Sequence, residues 1–245
     1  CLDRGIAHAM LEARPLMFCD TRVFVAAEHM QTMVRFCAAM EVVAALPGWR
    51  EAVLADAPDT PRHASAARGV FFGYDFHIGE EGPKVIEIHT NAGGGLLNLY
   101  LLAAQTGKDA ALFQPARIEE RIAAMFVEEW RACRGDGKPS MVAIVDDAPG
   151  DQYLNPDFVM CRQLLERHGM PALICDAHEL RFEQGELRCG DKRVDMVYNR
   201  LTDFLLADAA HAALREAWLS DAAVLSPNPH NYAVFADKRH LARLS

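Results

Sequence analysis

Asp75, His77, Glu87 and His89 have the types and the spacing to hold a cation. Along the run from Val70 to Ile78, Phe72, Tyr74, Phe76 and Ile78 alternate with Phe71, Gly73, Asp75 and His77, the period of a half-buried strand. Gly79-Glu80-Glu81-Gly82-Pro83 reads as a five-residue turn. The return strand then has Ile86, Ile88 and Thr90 on one face and Val85, Glu87 and His89 on the other. With that turn Ile78 pairs with Lys84, and Asp75 falls opposite Glu87. Two carboxylates opposed across a hairpin repel each other unless a cation or a proton sits between them. Mg²⁺ meets that need, because it takes one or two carboxylates and fills its shell with phosphates and water. A turn one residue shorter would send the two acids to opposite faces, and a plain solvated face is the alternative reading.

After the hairpin, Asn91-Ala92-Gly93-Gly94-Gly95 opens a helix over 96–105. Glycines before a helix start expose amides that can cradle a phosphate or carboxylate. The pattern is neither GxGxxG nor a P-loop, so close backbone packing explains it equally well.

The elements that must position these residues are of two kinds. Residues 1–50 read as helical: Asp20 or Thr21 caps a helix with Val23, Ala27, Met30, Val34 and Cys37 on its apolar face, stopped at Leu46-Pro47-Gly48. Residues 51–69 read as a connection. A helix from Pro115 carries Ile118, Ile122, Met125, Phe126 and Trp130, and the break over 134–139 suggests a domain boundary. From Met141 the pattern alternates. A strand over 141–145 is followed by a helix capped by Asn155, begun by Pro156 and ended by Gly169, then by a strand over 171–175. That is a parallel β-α-β unit. Small strands to Tyr198, a helix over 208–219 and a strand over 223–225 complete a Rossmann-like layer.

Ligands of such sheets bind beyond the carboxyl ends of the strands. There stand Asp146, Asp147, Asp176, Asn199-Arg200 and the turn from Ser226 to His230. Arg200 is the candidate catalytic residue, a fixed fork for carboxylate or phosphate. A structural pairing with Asp203 is its alternative, and a local hydrogen bond is the alternative for His230.

A net charge of −9 with no lysine/arginine run argues against a nucleic-acid partner. The sequence shows no apolar run near the ~18 residues of a membrane span and no secretory leader, so neither membrane insertion nor export is expected. Its seven cysteines include no CxxC pair, which argues against a disulfide framework or structural zinc and for a reducing cytoplasm. Cys161 and Cys175 read as buried core residues.

The hairpin resembles the metal-binding hairpin of the circularly permuted ATP-grasp ligases, the group of glutathionylspermidine synthetase. That family has Gly-Arg-Phe-Asp-Phe followed, twelve residues after the Asp, by Glu-Tyr-Asn. Here Gly73-Tyr74-Asp75-Phe76 is followed at the same interval by Glu87-Ile88-His89. The resemblance implies that Asp75, Glu87 and, less directly, His89 hold the Mg²⁺ of Mg-ATP; the glycine turn departs from the family's Asp-Thr-Pro-Thr, but its exposed amides make Asn91, Gly93 and Gly94 candidates to hold the nucleotide, and His89 admits Mn²⁺. Gly73 stands where the family has arginine, and His89 where it has asparagine, which suits Mg²⁺ less well.

The resemblance also implies an α/β fold in three parts. Residues 1–137 would be a helical segment with the metal-binding hairpin of the ATP-grasp domain, and 138–235 a Rossmann-like pre-ATP-grasp domain. Residues 236–245, with Asp237-Lys238, would begin a nucleotide-clamping part expected to continue past Ser245.

The activity implied is ATP-dependent joining of a small carboxylate to an amine or thiol through an acyl phosphate, in the cytoplasm. A non-catalytic small-molecule or peptide binder on the same scaffold is the alternative. A zinc hydrolase using Asp75, His77, Glu87 and His89 is a third reading.

Overall fold

The structure is a computed structural model that describes residues 8–106 and 114–243. The helical reading of residues 1–7 and the chain's last two residues lie outside them. In chain order the elements are α1 (His8–Glu12), α2 (Ala27–Ala45), α3 (Pro47–Leu54), α4 (Asp59–Arg62), β1 (Gly73–Gly79), β2 (Gly82–His89), α5 (Gly95–Thr106) and α6 (Pro115–Arg134). They continue with β3 (Val142–Asp146), α7 (Asn155–Arg167), β4 (Ala172–Asp176), β5 (Leu180–Glu183), β6 (Glu186–Cys189), β7 (Lys192–Arg193), β8 (Met196–Asn199), α8 (Ala212–Leu219), β9 (Val224–Ser226) and α9 (Pro229–Asn231). A π turn over Tyr232–Ala236 and a 3-10 segment over Lys238–Arg243 follow.

The protein is mixed α/β. Its centre is a four-stranded parallel sheet in the order β4-β3-β8-β9. The strands are apolar on both faces because both are covered. On one face Val142, Ile144, Met196, Tyr198 and Val224 pack against Leu96 and Leu97 of α5, Ile122 and Phe126 of α6, and Phe158 and Leu164 of α7. On the other, Ala143, Val145, Val197 and Leu225 meet Leu214 and Trp218 of α8 and Leu187 of the antiparallel β5-β6-β7 flap. The β-α-β reading of 141–176 holds, with β3 and β4 parallel and Asp146 in register with Asp176. Asn155 does not cap α7: its side chain donates to the Pro149 carbonyl instead. No helix among the described residues is long and apolar enough to cross a membrane.

The N-terminal helices differ from expectation. The first long helix begins at Ala27 without a side-chain cap, while the Thr21 hydroxyl donates to its neighbour Asp20 rather than to a helix end. Val23 and Val34, assigned to the apolar face, are 84% and 62% exposed. Met40 and Ala44 are buried instead, because α2 lies on the hairpin and fixes its rotation through Phe36, which meets Tyr74 and Phe76 edge-on. The stretch read as a connection over 51–69 contains the end of α3 and all of α4.

The hairpin turn is shorter than five residues. Gly79 pairs with Gly82 around Glu80-Glu81, and Ile78 faces Pro83 rather than Lys84. Alone, this one-residue shift would separate Asp75 from Glu87. A β-bulge between the Phe76–Val85 and Asp75–Glu87 pairs absorbs Ile86 and restores the opposition of the two acids. The extra residue changes the apolar face too: Val85 and Ile88 pack inward, and Ile86 is 56% exposed.

Ile88→Ala is therefore expected to cost about 2–5 kcal/mol in denaturant unfolding, and Ile86→Ser to stay within about 0.5 kcal/mol. Equal costs would contradict the bulge.

Candidate metal and substrate site

Because the bulge sits beside them, Asp75, Glu87 and His89 converge, each offering a ligand atom within 4.8 Å of the others. His89 Nε2 is 2.8 Å from Glu87 Oε1 and 3.3 Å from Asp75 Oδ2. The remaining Glu87 oxygen, Oε2, pairs with the Lys238 ammonium, delivered by the chain leaving the π turn. The cation demanded by opposed carboxylates is thus supplied here by Lys238, with the His89 ring set between the two acids. The bond from Lys238, reinforced by His89, holds the Glu87 carboxyl below its ordinary range, and Glu87 in turn raises Lys238. His77 stays outside this group, exposed and opposite Lys84.

The cluster opens on a cleft of about 610 Å³ lined by Glu87, His89, Phe204, Tyr232, Lys238 and Arg239. Phe204 and Tyr232 stack in parallel in its wall, with ring centroids 4.4 Å apart. An acidic rim, two cations and an aromatic wall suit a polar ligand with a flat or apolar part.

The glycine turn has a different local chemistry. Asp157, buried in the first turn of α7, accepts the amides of Gly94 (3.2 Å), Leu96 (3.1 Å) and Leu97 (3.2 Å). An anion does sit at this helix start, and it is the protein's own carboxylate. Burial still pushes the Asp157 carboxyl up, against those bonds and nearby Arg200.

Arg200 is buried too. Its Nη1 donates to the carbonyls of Asn91 and, at 2.9 Å, Ala92, and its guanidinium lies near the Tyr198 and Phe158 rings. A Cβ on Gly93 would come within 2.5 Å of Arg200 Nη2, so glycine is required there for close approach. The Asn91 side chain donates to the Leu201 carbonyl. Asn91, Gly93, Gly94 and Arg200 therefore form one joint between the hairpin and the sheet. Asp203, the alternative partner for Arg200, bonds His211 instead. His230 makes a structural hydrogen bond, though not a local one: its Nδ1 meets the Pro61 carbonyl at 2.8 Å, far away in sequence.

A second polar group lies at the carboxyl edge of the sheet, where Asp147, Asp176 and His178 come within 4.8 Å. Buried His211 bridges Asp147 (3.0 Å) and Asp203 (2.8 Å). Burial opposes its positive charge, yet the bonds to Asp203 and Asp147 win and raise its pKa. The sequence pointed to the aspartates at the strand ends but missed His178 and His211. His178 follows the β4 aspartate by two residues, a local signal; His211 is brought in from a distant loop.

Next to this group, burial lifts Asp146 to about 6, against the Asp147 amide and Arg200. A carboxyl raised from an unfolded value near 3.8 contributes stability that is present below that value and lost as pH rises through about 6. Asp146→Asn, which can still accept the Asp147 amide, is expected to raise the melting temperature at pH 7.5, with the gain fading toward pH 4. A loss at pH 7.5 would show that the charged form is needed for folding.

The sequence matches no protein-family model and no curated protein.

Proposed function

We propose that this chain carries the metal-binding hairpin and pre-grasp layer of an ATP-dependent carboxylate–amine (or carboxylate–thiol) ligase of the circularly permuted ATP-grasp kind. One observation carries the reading: Asp75 and Glu87 are held opposite each other by a bulge, beside His89, at the mouth of a cleft large enough for a small substrate. The donor set fits a divalent cation, with Asp75 and Glu87 as oxygen ligands and His89 at the edge, a mixture that admits Mn²⁺ as well as Mg²⁺. When bound, Mg-ATP would supply the phosphoryl group that activates a substrate carboxylate, the ion neutralising charge on the phosphates.

The chain's own residues prepare that chemistry. Lys238 keeps Glu87 ionised and offers a positive charge at the cleft, where a phosphate or carboxylate would draw it from Glu87. Arg239 is paired with Asp237 at the same cleft, and Phe204 with Tyr232 forms a flat apolar wall. Arg200, together with Gly93 and Gly94, acts as a positioning group for the turn leaving β2. Such an activity belongs in the cytoplasm, with small carboxylates and amines as partners.

The Lys238–Glu87 pair also favours a second reading, a small-molecule binder in which the lysine has permanently replaced the ion. Titration of the full chain with Mn²⁺, followed by electron paramagnetic resonance with and without ATP, separates the two. Saturable Mn²⁺ binding that tightens with ATP supports the ligase reading. Carboxylate binding in calorimetry with no response to Mn²⁺ supports the binder.

A further inference from the structure

Cys175 and Cys189 are far from any CxxC spacing, yet their sulfurs meet. Cys175 is fully buried near the end of β4, the edge strand of the parallel sheet. Cys189 is half-buried at the end of β6, where it pairs with Leu180 in the flap. The one-turn 3-10 segment Ala177–Glu179 folds the flap back onto β4, and the two Sγ atoms come to 2.6 Å. Non-bonded heavy atoms settle nearer ~3.5–4.0 Å. Two thiolates sharing a tetrahedral zinc, with Zn–S of about 2.3 Å, would stand roughly 3.8 Å apart. The observed separation is shorter than a shared zinc would set, although Glu179 lies beside the pair.

We infer that Cys175 and Cys189 form a reversible disulfide, made by a peroxide-class oxidant, that fastens the flap to the edge of the parallel sheet. The two thiols divide the work by exposure. Burial strongly disfavours the Cys175 thiolate, so the half-buried Cys189 is the one an oxidant reaches. Its thiolate attacks the peroxide O–O bond to give a sulfenic acid, and the other peroxide oxygen leaves as water or alcohol after taking a proton. The Cys175 thiol then attacks the sulfenic sulfur: the S–S bond forms, the S–O bond breaks, and the hydroxyl leaves with the Cys175 proton as water. Two thiols have lost two electrons and one peroxide has gained them. The cross-link adjoins Asp176, so it also stiffens the carboxyl edge of the sheet.

The test is oxidation of the full chain with hydrogen peroxide, then denaturation, maleimide alkylation and mass spectrometry. Trypsin cuts after Arg167, Arg181, Arg188 and Lys192, so the two cysteines fall in separate peptides, 168–181 and 189–192. The expected result is loss of two of the seven alkylatable thiols, a linked pair of those peptides, and a melting temperature about 5 °C higher that dithiothreitol reverses. Cys189→Ser, at a half-exposed position, should keep the unoxidised melting temperature, lose the peroxide response and leave Cys175 alkylatable. Full alkylation of oxidised wild type would overturn the inference, as would a link between other cysteines. Stoichiometric zinc on the purified protein that Cys189→Ser releases would overturn it too.

Discussion

Glu87→Gln removes saturable Mn²⁺ binding from the full chain and, with it, any metal-dependent ATP turnover, while the circular dichroism spectrum stays that of the parent. Glu87 is the residue on which this outcome rests because both its oxygens are engaged at the cluster, one by His89 and the other by Lys238. The amide keeps the size but offers one weak oxygen in place of two charged ones. Lys238→Met should do the reverse. It withdraws the cation that competes for Glu87 and leaves opposed carboxylates uncompensated, so Mn²⁺ affinity should rise about tenfold or more. The variant's melting temperature should fall without metal and recover when Mn²⁺ is added, a recovery larger than the parent's response. A Glu87→Gln protein that still binds Mn²⁺ would take Glu87 out of the site. A Lys238→Met protein that binds Mn²⁺ more weakly would make the ion pair structural and favour the small-molecule binder.

The opposition of Asp75 and Glu87 was legible in the sequence for an incomplete reason. Alternation of aromatic and polar residues identifies β1, and the interval of twelve residues brings the acids together. The turn is shorter than that count assumed, and the bulge at Ile86 makes up the difference. Val85, Ile86 and Ile88 offer β-branched residues on either side of the fault, so no local preference says which one is squeezed out; packing against α2 decides. The parallel sheet was easier to read, because strands covered on both faces leave continuous apolar runs ended by aspartates and asparagine. The rotation of α2 was not legible, since the face it buries is chosen by the hairpin it lies on.

Lys238 and Asp157 show the other limit. The electrostatic demand at the hairpin was plain, but the lysine that meets it lies some 150 residues on. Asp157, three residues into a helical pattern, carries no sequence signal beyond that of a first-turn acid, whose charge would complement its own helix. Its bonds run instead to amides about 60 residues earlier. A glycine-rich helix start advertises that an anion is wanted without saying whether the anion is a ligand or part of the chain.

That distinction can be measured. Asp157→Ala is expected to destabilise the protein by about 3–5 kcal/mol, because it leaves buried amides without acceptors and buried Arg200 without its nearby opposite charge. Asp157→Asn should cost less, about 1–2 kcal/mol, since its amide oxygen can still accept from Leu96 and Leu97 while its nitrogen faces the Gly94 amide. Arg200→Met should also be costly alone, as it drops the bonds to the Asn91 and Ala92 carbonyls. Combined with Asp157→Ala it should cost less than the sum, because each change removes the charge the other leaves stranded. Hydrogen exchange would localise the effect, with protection lost first at Gly94, Leu96 and Leu97. If Asp157→Ala unfolds at the parent's denaturant midpoint, the carboxylate is not what holds this turn. The amides of Gly94, Leu96 and Leu97 would then be open to a ligand anion, and the phosphate cradle expected from the glycines would regain its place in the site.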